Sequence, residues 1–210
     1  MVTAEDLKSS ARKSLPVRVR PRAQKITTTT MPIFYTGKGD KGVSHVGKIK
    51  IKKTCLEIES LGYLDELNSL IGVVKSFSNQ EFKKILHEVQ ESLFIIQANV
   101  AYVMLKERRQ PPLLGANKVK TIEELLDKYE KILSPAKKFV ISGPTLLSAW
   151  LDYVRAYSRR VERNVLRIPT VNKLNPEILR YLNRLSSLFF AMARMATKQA
   201  GKKELHPSYK

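Results

Sequence analysis

The 210-residue chain carries 38 basic against 19 acidic residues, a formal charge of +19, and 43% of it is hydrophobic. That apolar share excludes disorder over most of the length and supports one buried core, or one domain with a tail. The longest stretch free of Asp, Glu, Lys and Arg is 14 residues, Ser92 to Leu105, short of the roughly 18 needed to cross a bilayer, so no membrane partner is expected. A single cysteine, Cys55, excludes an internal disulfide framework and a cysteine-built zinc site. It also points to a reducing, cytoplasmic compartment. So large a positive charge calls for an anionic partner.

Residues 1–30 hold seven basic and two acidic residues, two prolines and four consecutive threonines. With little apolar periodicity, they read as a poorly ordered basic head. The composition also suits an organelle transit peptide. The alternatives are a basic arm or an upstream extension of a gene whose usual start corresponds to Met31. The remaining chain keeps a net charge of +14, so the head does not account for the positive charge.

Residues 31–54 concentrate Gly37, Gly39, Gly42 and Gly47 among Lys38, Lys41, Lys48, Lys50, Lys52 and Lys53. Glycine lets backbone amides turn toward a ligand and lysine supplies charge, a combination that suits phosphate. No Walker pattern is present. The other reading is a solvated loop with short extended pieces.

From residue 55 to about 200 the periodicity is helical, and five helices joined by modest loops predict an all-α antiparallel five-helix bundle. The first begins at Cys55 with a stripe of Leu61, Leu64, Leu67, Ile71 and Val74. Ser78 is the expected cap of the second, which carries Phe82, Leu86, Val89, Leu93, Ile96 and Val100 and stops before Pro111-Pro112. A third is expected over about 118–133. A fourth starts near Pro144 as a first-turn proline and runs to about Arg167. The fifth starts at Asn175-Pro176 and ends at Gly201. Residues 201–210 form a basic tail.

Glu-x-x-His, the signature of a di-iron bundle, precedes none of His45, His87 or His206, so no protein-built metal site is expected. The densest chemistry is RAYSRRVER, residues 155–163. At about 100° per residue Arg155, Arg159 and Glu162 share a face, with Arg160 and Arg163 beside it. Such guanidiniums repel one another unless an anion sits among them, and Glu162 can neutralise only one. Bidentate forks suit polyphosphate, although a solvated basic face has the same spacing. Asp65, beside the apolar face of the first helix, calls for a partner and could meet an arginine of the fourth, within a subunit or across an interface. Asn183 interrupts the stripe of the fifth helix, where a satisfied buried amide is the ordinary reading.

The segments YTGKGDKG (35–42), ESLGYLDELNSLIG (59–72), LHEVQESLFIIQANVA (86–101), FVISGP (139–144), RAYSRRVER (155–163) and NRLSSLFFAMAR (183–194) resemble, in this order, the ATP:cob(I)alamin adenosyltransferases of the propanediol-utilisation (PduO) type. The resemblance covers about residues 33–197. It implies a homotrimer of five-helix bundles with active sites between subunits, transferring the 5′-deoxyadenosyl group of ATP to the cobalt of cob(I)alamin and releasing triphosphate. ATP with Mg²⁺ and cob(I)alamin are the implied co-substrates. A cobalamin reductase and an adenosylcobalamin-dependent enzyme are further partners. Reduced cobalt is itself the nucleophile, so no activated Ser, Cys or His is required.

By the same resemblance, Thr36, Gly37, Lys38, Gly39, Ser44 and His45 form the ATP loop, and Lys53 reaches the phosphates. Arg159, Arg160, Glu162, Arg163 and Asn183 bind nucleotide. Asp65 and Arg155 match an ion bridge across the subunit interface, and Phe139 matches the aromatic that packs under the corrin and displaces its lower ligand. Three departures stand out. Gly37 and Lys38 replace the basic residue and second threonine of the family loop, Ser142-Gly143-Pro144 replaces Pro-Gly-Gly, and Asp152 stands where histidine is common. The competing readings are a basic helical nucleic-acid-binding protein and a relative that binds and delivers cobalamin. Against nucleic acid, Phe82, Phe94, Phe189 and Phe190 fall largely on apolar faces, and no nucleic-acid motif is visible.

Overall fold

The structure is a computed structural model that describes residues 35, 37–47, 49–105, 110–134 and 138–209. The head, Thr36 and Lys48 lie outside the described residues. The chain forms two units, Met1–Thr36 and Gly37–Lys210, and the helices and strands described below all belong to the second.

Five helices carry the core, as the apolar periodicity predicts: α1 (Leu56–Ser76), α2 (Gln80–Leu105), α3 (Ala116–Leu133), α4 (Leu146–Leu166) and α5 (Pro176–Gln199). The expected stripes are the buried ones. Leu64, Leu67, Ile71 and Val74 of α1 and Phe82, Leu86, Leu93, Ile96 and Val100 of α2 are fully inaccessible. α1 packs on α2 and α4, and α5 packs on α4 and α3. Ion pairs Glu88–Lys118 and Glu81–Lys128 link α2 to α3. Among the described residues no helix is long and apolar enough to cross a membrane.

The purely α expectation needs correction. Val43–Val46 (β1) and Ile49–Lys52 (β2) pair antiparallel, with Val46 opposite Ile49 and Gly47 at φ +56° in the connection. The β-branched valines at either end of β1 and the isoleucines alternating with lysine in β2 favour extended pairing, although the lysines of β2 disguise it.

Two helix starts also differ from expectation. Asn79, not Ser78, caps α2: its Oδ1 accepts from the Phe82 amide at 2.9 Å, while Ser78 Oγ donates to the Val74 carbonyl. At α4, Pro144 lies before the cap, and Thr145 and Ser148 form a reciprocal capping box. Asn175 caps α5, with Pro176 in its first turn. α5 ends where Gly201 takes φ +64°, a left-handed conformation cheap only for glycine, and Lys202 N donates back to Thr197 O.

Candidate functional site

Two pieces of the second unit collect the predicted site residues. In the first, the chain turns through Gly37 (φ +66°) and Gly42 (φ +72°) into the hairpin. Lys53 N then donates to Gly42 O at 3.0 Å. A Cβ built on Gly39 would meet Lys53 Nζ at 3.0 Å, so the lysine head lies directly over glycine backbone. Lys53 and Gly39 are thus brought together by the hairpin. Ser44 and His45 sit on β1, opposite Ile51 and Lys50.

The second piece is an open groove of about 420 Å³ between α3, α4 and α5, whose lining includes Arg155, Arg159, Ser186, Phe190 and Arg194. Arg159 is exposed. Arg155 is partly buried, and its Nε lies 3.7 Å from Asp152 Oδ1. Arg194 is almost wholly buried and bonds Asp152 Oδ2 at 2.6 Å. Its guanidinium also stacks 4.9 Å over the Phe190 ring. Asp152 is therefore an ion-pair anchor for two arginines, a role that histidine could not fill with the same charge.

The helical cluster divides about the α4 axis. Arg160 turns away from the groove, donates to the Tyr63 hydroxyl at 3.1 Å and stacks on that ring at 4.9 Å. The hydrogen bond to Tyr63 raises the guanidinium pKa. Next to it, Tyr157 OH donates to Glu66 Oε2. Burial and that bond both push the phenol above its ordinary range. Arg163 is exposed.

Several expectations change here. Among the described residues Glu162 pairs with no arginine; its Oε1 accepts from Asn183 Nδ2 at 2.8 Å. Asn183 is exposed, not a buried amide, and its Oδ1 accepts from Arg184. Asp65 is exposed, and within the chain Arg155 pairs with Asp152 instead. Phe82 and Phe189 are buried, but Phe94 and Phe190 are exposed, so the aromatics do not all belong to apolar faces. Phe139 stands in the loop before α4 with 77% of its surface exposed.

The cobalamin adenosyltransferase family model matches residues 34–196. The chain belongs to the cobalamin adenosyltransferase family. A corrinoid adenosyltransferase of Citrobacter freundii is 35% identical over 164 residues, which span 77% of this chain and 93% of that relative. One from Bacillus subtilis (strain 168) is 34% identical over 173 residues, 80% and 88% of the two chains. A variant of the PduO-type ATP:corrinoid adenosyltransferase from Lactobacillus reuteri, complexed with cobalamin and ATP, superposes with a TM-score of 0.78 at 31% identity. That superposition covers 83% of this chain and 99% of the other.

Within this cobalamin adenosyltransferase family member, sequence reasoning missed Arg194, Tyr63 and Glu66. A signal existed for the first: Arg194 continues the buried stripe of Ser186, Phe189 and Ala193, where an unpaired charge would be costly. Nothing in the spacing of Tyr63 or Glu66 identifies Arg160 or Tyr157 as their partners.

Proposed function

We propose that this chain transfers the 5′-deoxyadenosyl group of ATP to the cobalt of cob(I)alamin. The cobalt lone pair attacks the 5′ carbon, the carbon–oxygen bond breaks, and its electron pair leaves on the triphosphate. The observation that carries this reading is the groove of a family member in which exposed Arg159 and anchored Arg155 stand together at an opening. Guanidiniums held there meet the charge of the departing triphosphate in a fixed geometry. Lys53 over Gly39 supplies a second phosphate grip, shared with Gly37, Lys38, Ser44 and His45. Glu162 and Asn183, bonded to one another, orient the nucleotide beside Arg163, while Arg160, turned to Tyr63, braces α4 against α1. Phe139 packs under the corrin, where an aromatic ring in place of the lower ligand favours four-coordinate cobalt and eases its reduction.

Among the described residues no three of His, Cys, Asp or Glu gather closely enough to hold a metal ion. The groove's donors are mainly cationic, which fits Mg²⁺ only as an ion carried by the triphosphate oxygens. When bound, it would offset phosphate charge.

The homotrimer with sites between subunits belongs to the same proposal. Asp65 is exposed and not paired with Arg155 within the chain. Among the described residues, Ser44, His45 and Lys53 make no side-chain hydrogen bond or ion pair with α4. Each chain thus offers two half-sites that a neighbour would complete. A reductase supplies cob(I)alamin, and an adenosylcobalamin-dependent enzyme consumes the product.

The test mixes purified protein with ATP, Mg²⁺ and chemically reduced cobalamin and follows adenosylcobalamin and triphosphate. Equal amounts of both are expected. Tight polynucleotide binding at physiological salt without turnover would favour the nucleic-acid alternative.

A further inference from the structure

The last residues of the chain do more than trail from α5. After Gly201 the backbone runs back along the loop that precedes α4, and Ile141 N donates to Leu205 O at 2.7 Å. His206 Nδ1 lies 2.7 Å from the Phe139 carbonyl oxygen. A carbonyl can only accept, so this contact is a hydrogen bond with Nδ1 protonated and donating. Among the described residues, these are the hydrogen bonds that reach residues 138–142.

The same segment is fixed at its root. Glu204 Oε1 lies 3.1 Å from Arg194 Nε, an ion pair without in-line hydrogen-bond geometry. Arg194 in turn bonds Asp152, and Asp152 faces Arg155. A continuous series of contacts therefore joins the arginine groove to the Phe139 loop: Arg155, Asp152, Arg194, Glu204, and then the tail backbone. Two cations and two anions alternate along it, so it can be buried without net charge. Arg194 also lines a second pocket of about 380 Å³ together with Glu204 and His206, so the same guanidinium lies between groove and tail.

Phe139 needs such support. It is 77% exposed, so little packing fixes the orientation of its ring. A loop with few anchors opens at little cost in free energy.

We propose that Glu204 and His206 are positioning residues, which hold the Phe139 loop at a fixed distance from the arginine groove. This rests on the adenosyltransferase reading of the site. The tail thereby makes Phe139 part of the same rigid frame as Arg155, so that one mutation in the tail is felt at the cobalamin side and not at the nucleotide.

The experiment compares full-length His206→Phe, His206→Asn and Glu204→Ala with the unmodified chain. Phenylalanine removes the donor and keeps a ring, whereas the asparagine amide can restore the donor. With cob(II)alamin and a reductant, His206→Phe and Glu204→Ala should lower kcat about tenfold while the KM for ATP stays within about twofold, as expected for lost positioning. The four-coordinate cob(II)alamin signal in electron paramagnetic resonance should shrink in parallel. His206→Asn should recover most of both. Wild-type parameters in His206→Phe, or an asparagine variant as impaired as the phenylalanine one, would overturn the proposal.

Amide exchange of residues 138–142 distinguishes the proposal from the reading beneath it. An inactive wild-type chain whose loop loses protection in His206→Phe would sink the reaction and support the tether. An active chain whose loop protection is unchanged in both His206→Phe and Glu204→Ala would sink the tether alone.

Discussion

Asp152 and Arg194 meet at 2.6 Å with side chains only 4% and 3% exposed. The pair staples α4 to α5 directly behind the arginine groove. Removing one partner of a buried pair leaves an uncompensated charge, a loss of about 3–5 kcal/mol. Arg194→Met leaves Asp152 only its longer 3.7 Å contact with Arg155 and frees Glu204, whereas Asp152→Asn leaves Arg194 its 3.1 Å contact with Glu204. Urea unfolding should therefore place Arg194→Met below Asp152→Asn, both well below the unmodified chain. A double variant with apolar residues at both positions should lose less than the sum of the singles.

Arg159 differs because it is exposed and makes no ion pair among the described residues. Its loss should leave stability within about 0.5 kcal/mol, the usual range for surface substitutions. On the proposed reading Arg159→Ala should lower turnover by roughly 10²–10³-fold, the scale for one donor that meets developing charge. Arg159→Lys should recover only part, because an ammonium cannot reproduce the planar fork. Steady-state kinetics with urea melts on the same samples checks both halves.

The helices were legible because their signals are local. The Phe82–Val100 stripe, the Asn175-Pro176 start and the Gly201 stop each lie within a few residues of the feature they specify. The hairpin was harder to read, since two four-residue strands, the second of them half lysine and both set among lysines and glycines, resemble a solvated loop. At the site, helical spacing places Arg155 and Arg159 on one face, and the structure puts both at the groove. The frame behind them was not legible. Asp152 and Arg194 are 42 positions apart, and although Arg194 continues a buried stripe, nothing in its spacing identifies Asp152 as its partner. The tail contacts to Phe139 and Ile141 join positions that only the tertiary fold brings together.

Tyr181 gives a pH prediction. It is buried, and burial is the main cause that pushes its phenol up to about 12, with Glu88 adding to this and a hydrogen bond with Ser92 opposing it. A folded-state pKa above the ordinary value of about 10 means that the native chain holds this proton more tightly than the unfolded one. The corresponding stability is fully present below pH 10 and is lost as pH rises through 12. Over that window the single group should remove roughly 2–3 kcal/mol. Chemical denaturation between pH 9 and 12 should show the decline, and Tyr181→Phe should flatten part of it.

Phe139 offers the cleanest separation of binding from chemistry on the cobalamin side. With 77% of its surface exposed, truncation to alanine removes little packing, so the thermal midpoint should barely move. Its proposed work is to occupy the space of the lower cobalt ligand, which matters while cobalt is being reduced and not once cob(I)alamin has formed. Phe139→Ala should therefore slow the reaction by one to two orders of magnitude when it starts from cob(II)alamin with a reductant, roughly the scale of misplaced active-site groups. It should slow it far less when cobalamin is reduced chemically beforehand. Stopped-flow traces from both starting materials decide the matter: equal slowing would assign Phe139 to holding the corrin, and unequal slowing to displacing its ligand.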